Sequence, residues 1–101
     1  VLLDNDSASA SEGTAAALQS LGRAVVVGEV SCGCLLGYLG YTTLPGGGEL
    51  AFSEIGFVTT NGDRIEGSGV IPDIAVTRTR ADFAAQRDRA LEAAQEALLS
   101  K

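Results

Sequence analysis

Val1-Leu2-Leu3-Asp4-Asn5-Asp6-Ser7-Ala8-Ser9-Ala10-Ser11-Glu12 runs from a short apolar stretch into a serine-rich turn. The apolar start reads as the end of a strand. The turn opens into Gly13-Thr14-Ala15-Ala16-Ala17-Leu18-Gln19-Ser20-Leu21, so a helix is expected from about Ala10 to Leu21, closed by Gly22. Its alanines allow close packing on a sheet. Ala24-Val25-Val26-Val27 is a β-branched run typical of a strand buried on both faces. Strand, helix and strand at this spacing predict a right-handed βαβ unit, and with it an α/β fold. The turn ahead of the helix is a good place to present a hydroxyl. The first helical turn leaves backbone N–H groups unpaired, and its dipole favours developing negative charge. A serine there can attack and be stabilised by the same element. Read locally, Ser9-Ala10-Ser11-Glu12 is equally a capping box, with Ser9 and Glu12 each satisfying the other's N–H.

Downstream, Gly28 to Gly40 is dense in glycine and reads as a loop where backbone approaches backbone or a ligand. Tyr38 to Leu44 and Glu49 to Thr59 read as the strands of a β-hairpin around Pro45-Gly46-Gly47-Gly48. Asn61-Gly62 signals a second tight turn, with Arg64-Ile65 starting a short return strand. Gly67 to Asp73 is a turn-rich crossing, and Ile74-Ala75-Val76 reads as a last short strand. Residues 81–100 read as one amphipathic helix, with Phe83, Ala90, Leu91, Ala94 and Leu98 on one face and Thr79 with Asp82 as its cap.

With 13 Asp+Glu against 7 Lys+Arg, the net charge is −6, which argues against nucleic acid and anionic membrane surfaces as partners. No stretch is long and apolar enough to span a bilayer, and no basic-then-apolar leader precedes Val1. The 101 residues suffice for one domain with a modest core. Starting on valine inside an apparent strand, they read as a fragment of a longer protein. Cys32 and Cys34 lie two apart. A bridge over so short a span is expected to be strained, so both read as small, partly buried apolar residues. With no third cysteine and no histidine, neither a metal site nor a cofactor is expected.

Several of these words occur together, and in the same order, in one known family. Asn5 to Glu12, Ala15-Ala16-Ala17-Leu18-Gln19, Gly22-Arg23-Ala24 and Val27-Gly28-Glu29 resemble the C-terminal processing peptidases, the tail-specific serine proteases of family S41. Leu44-Pro45-Gly46-Gly47-Gly48-Glu49-Leu50 resembles the family's Leu-Pro-x-Gly turn and following strand. Thr59 to Ile74 resembles its Thr-Pro-x-Gly-x-x-Ile-x-Gly-x-Gly-Ile-x-Pro-Asp segment. The likeness covers roughly residues 1 to 77, and so long an ordered set is far more specific than one short motif.

The resemblance implies the C-terminal part of a crotonase- and Clp-protease-like peptidase core, with Ser9 at the nucleophile position. It implies protein or peptide substrates with apolar C-terminal tails, an upstream part of the same protein that often includes a PDZ domain, and work in the cell envelope or outside the cell. It also exposes two departures. The family's base is a lysine whose pKa burial depresses, so that the neutral amine can take the serine proton. Cys34 stands at that position, and the chain's one lysine is Lys101. Ser20 stands where many relatives carry an aspartate that helps orient the dyad. Three readings follow. The domain is a serine peptidase whose base comes from elsewhere, or a catalytically dead homologue kept as a peptide- or ligand-binding module, or Cys34 itself acts as nucleophile or base. Nothing near Cys34 in sequence would lower its pKa, which disfavours the third.

Overall fold

The computed structural model describes residues 1–37 and 40–100. The βαβ expectation holds. Strand β1 (Leu2–Leu3) leads through helix α1 (Ala10–Ser20) to β2 (Val27–Gly28), and β1 pairs with β2 in parallel, Leu2 opposite Val27 and Leu3 opposite Gly28. Helix α1 ends as its glycine predicts. Gly22 has φ +63°, its N–H donates to the Gln19 carbonyl (2.9 Å), and Arg23 N–H donates to the Leu18 carbonyl (2.8 Å), which is the Schellman pattern. The strand expected over Ala24 to Val27 is shorter and later, Val27–Gly28; Val26 and Val27 are buried, but Ala24 and Val25 are half-buried and lie ahead of the pairing.

The hairpin is present but shorter than expected. Strands β3 (Gly40–Thr43) and β4 (Glu49–Phe52) are antiparallel, with Thr43 opposite Glu49. Tyr38, expected to open the first of them, lies outside the described residues. The expectation that the second runs on to Thr59 is not met, since no strand is formed over 53–57. The Asn61-Gly62 turn holds one antiparallel bridge, Val58 opposite Arg64, with Gly62 at φ +90° and Thr59 N–H donating to the Asp63 carbonyl at 3.0 Å. Strand β5 (Ile74–Ala75) adds in parallel to β2, so the sheet order is β1-β2-β5. Asp73 fastens this edge by accepting from Val26 N–H at 2.7 Å.

The single C-terminal helix expected over residues 81–100 is two helices, α2 (Arg80–Ala84) and α3 (Arg89–Leu99). Thr79 and Asp82 cap α2 as anticipated. The break comes from a second cap. The Asp88 side chain accepts from Leu91 N–H at 3.0 Å and restarts the helix, while Gln86 turns through φ +53°. Phe83 therefore does not share a face with the leucines of α3. It is exposed and lies under the Arg78 guanidinium, 5.7 Å from the ring centre. The core is small: Leu3, Ala15, Ala16, Val26, Ile65 and Val70, with Leu35 and Phe57 packed against it.

Candidate active site

The serine-rich turn sits where β1 meets α1, and its three hydroxyls are not alike. Ser7 Oγ donates to Asp4 Oδ1 (3.0 Å) and accepts from Asp4 N–H (3.1 Å). That hydroxyl, ahead of the Arg78 guanidinium, holds the Asp4 carboxyl below its usual range. Ser11 Oγ donates to the Ala8 carbonyl at 2.6 Å. Both are spent on local structure. Ser9 is exposed, and its side chain faces the Glu12 N–H in a capping box without a cap hydrogen bond, since that N–H donates to the Ser9 carbonyl (3.0 Å). Its backbone is unusual for a residue with a side chain, at φ 58° and ψ −127°. The left-handed half of the map is open chiefly to glycine, and outliers there cluster at active sites.

Glu12 is one of two acceptors that meet the Ser9 N–H. Its side chain is fully buried, one helical turn into α1. The Oε2 atom accepts from Ser9 N–H (3.0 Å) and Cys34 N–H (2.9 Å), and Oε1 accepts from the Ser31 hydroxyl and Gly33 N–H (2.6 Å each). Burial alone pushes a carboxyl up. Here the bonds from Ser31, Gly33, Cys34 and Ser9 outweigh it and hold Glu12 below the ordinary value. Ser9 N–H also donates to the Cys34 carbonyl (2.9 Å), and Cys32 N–H to the Ser7 carbonyl (2.9 Å).

Two of the three sequence-identified residues are thus neighbours. Cys34 lies beside Ser9 through that backbone bond. Ser20 does not join them. It is eleven residues further along, about 16 Å at the helical rise, and its hydroxyl donates to the Ala17 carbonyl at 3.1 Å. Ser20 lines a separate open cavity with Gln19, Asp63 and Asp73.

The reading of the cysteines needs correction. Cys32 and Cys34 form a disulfide, with Cα atoms 5.2 Å apart, and both residues are exposed rather than partly buried. The reason is Gly33, whose φ of +71° folds the chain back so that both side chains fall on one side. Gly33 has no room for a side chain either, because a Cβ there would stand 2.9 to 3.0 Å from backbone atoms of Gly67, Ser68 and Gly69. A bonded sulfur is neither nucleophile nor thiolate base, so the reading of Cys34 as a reactive thiol falls.

Segment 31–36 is held along its whole length. Ser31 N–H donates to the Val70 carbonyl (3.3 Å), and Leu35 and Leu36 N–H both donate to Glu66 Oε2 (2.9 and 2.8 Å). Residue-by-residue reading overlooked Glu66, and it took Glu12 for a cap alone. The signal for Glu12 was its spacing, since with Ala15 and Ala16 it forms the buried stripe of α1. Among the described residues no group of acidic, cysteine or histidine side chains could hold a metal ion, and no helix is long and apolar enough to cross a membrane.

No curated protein matches the chain. A profile of Peptidase family S41 matches residues 1–76, from β1 through the serine turn, the disulfide loop and the hairpin to the residue after β5. With 76 of 101 residues matched, including the whole serine site, the chain belongs to peptidase family S41.

Proposed function

We propose that this domain is a serine-type peptidase of the tail-specific kind, with Ser9 as its nucleophile and proteins with apolar C-terminal tails as its substrates. The observation that carries the reading is the contrast among the three serines. Ser7 and Ser11 are tied down, while Ser9 is exposed at the head of α1 and its hydroxyl makes no hydrogen bond among the described residues. Ser9 Oγ would attack the scissile carbonyl. In the first turn of α1 the Glu12 and Gly13 N–H groups are taken by the Ser9 carbonyl (3.0 and 3.1 Å), so the oxyanion would fall to the Ala10 and Ser11 N–H groups, which have no acceptor among the described residues. The amides of Gly33, Cys34, Leu35 and Leu36 do not serve, because carboxylates hold them. The proton on Ser9 goes to a base outside the described residues, since the lysine position is Cys34 and Glu12 is buried with its oxygens engaged. The surrounding architecture is compatible with a crotonase- and Clp-protease-like core.

The disulfide at the lysine position favours one alternative, a homologue that has lost turnover and keeps its cleft for peptide or ligand binding. Incubation of the protein with an unstructured substrate carrying an apolar tail separates the two. Cleavage that disappears in Ser9→Ala supports the peptidase. Tail binding without cleavage, unchanged in Ser9→Ala, supports the binding module.

A further inference from the structure

We propose that Glu12 is a positioning residue for Ser9, and that its charge, not its bulk, keeps the serine backbone in its reactive conformation; this deepens the peptidase reading and rests on it. A capping glutamate normally returns to one N–H and stays near solvent. Glu12 is fully buried and takes four donors from two separate segments: Ser9 on the turn, and Ser31, Gly33 and Cys34 on the disulfide loop. Each oxygen receives two. The carboxylate is therefore a rivet between the residue that carries the hydroxyl and the loop that lies against it.

All four contacts need an acceptor on Glu12. An amide of the same shape supplies one acceptor oxygen and one NH2 group. Whichever way it is turned, the NH2 faces N–H donors, either those of Ser9 and Cys34 or that of Gly33. Ser31 can adapt, because its hydroxyl also accepts from Val70 N–H at 2.7 Å and can rotate. The backbone amides cannot. The conflict therefore falls on Ser9 with Cys34, which leaves Ser9 N–H to the Cys34 carbonyl alone, or on Gly33, and in either case loosens the link that holds Ser9 at φ 58°.

The test compares wild type, Glu12→Gln and Val26→Ala. Val26→Ala truncates a buried core residue away from the serine turn and controls for stability alone. Two readouts are taken on folded protein: the rate at which a fluorophosphonate modifies Ser9, and the backbone 13C and 15N shifts of Ser9. Glu12→Gln is expected to slow modification at least tenfold per folded molecule and to move the Ser9 shifts out of the positive-φ range. Val26→Ala is expected to change neither. Wild-type Ser9 shifts in Glu12→Gln overturn the proposal, as does equal slowing in both variants. If wild-type Ser9 is not modified at all, the peptidase reading fails, and the Glu12 proposal is still decided by the shifts. Should Glu12→Gln not fold, Ser31→Ala provides the second variant. It removes one of the four donors and is expected to shift Ser9 toward ordinary φ by a smaller amount, and unmoved Ser9 signals there contradict the proposal.

Discussion

Ser9 sits at φ 58° and ψ −127°, close to the first central position of a type II′ turn, which glycine dominates. A serine there stores strain of about 1–3 kcal/mol. The expected consequence is an inversion of the usual ranking of substitutions. Ser9→Gly should be more stable than Ser9→Ala by about 1 kcal/mol, after allowing for the entropy glycine adds to the unfolded chain. Denaturant unfolding of the two variants measures it, and equal stability would mean that the turn is not strained. Glu12 makes a second prediction, in pH. Its folded pKa lies below the ordinary 4.5, so its contribution is fully present above that value and is lost as pH falls through the folded pKa. The stability gap between wild type and Glu12→Gln should be widest near neutrality and narrow below about pH 4.5. A gap that stays constant into acid would show that the buried carboxylate gains nothing from its four donors.

Elements differ in how local their causes are, and that decides what could be read in advance. Helix α1 was legible at both ends, because Ser9 with Glu12 and Gly22 with Arg23 are local signals. Gly22→Ala meets no steric obstacle but must keep φ +63°. It should cost about 1 kcal/mol, or about 4–8 °C in Tm for a domain of this size. An unchanged Tm would mean that the Schellman end is not needed. The C-terminal helix was misread as continuous because the apolar spacing runs through the break. What divides it is the Asp88 cap, one side-chain bond that periodicity does not register. The disulfide was misread for a similar reason. The short span between Cys32 and Cys34 argues against a bridge only for an extended chain, whereas Gly33 in the left-handed region sets their real relation. Of the candidate site, Ser9 and its neighbour Cys34 were legible as words. The contacts of Glu12 and Glu66 were not, because both reach residues about twenty or thirty positions away.

Across the whole molecule, stability is uneven. Strands β1 and β2 pack against α3, and Leu3 and Val26 share the core with Ala15 and Ala16 of α1, with Leu3 and Val26 to Gly28 buried. The β3–β4 hairpin exposes Tyr41, Leu44, Leu50 and Phe52 and makes its contacts mainly within itself. The radius of gyration is 17.2 Å, against about 13 Å for a compact chain of this length. A lone two-stranded hairpin is marginal in water. Hydrogen exchange should therefore find the amides of residues 40–52 opening well before those of Val27 and Ile74, and equal protection would show the hairpin to be packed. Ser9, on a turn tied to the disulfide loop, is expected to fall on the slow-exchanging side of this division, as the proposed nucleophile role requires. The most direct measurement is peptide mapping of the folded protein after treatment with a fluorophosphonate. The account predicts a single adduct on Ser9, with Ser7 and Ser11 untouched. An unmodified protein, or an adduct on either neighbouring serine, would contradict it.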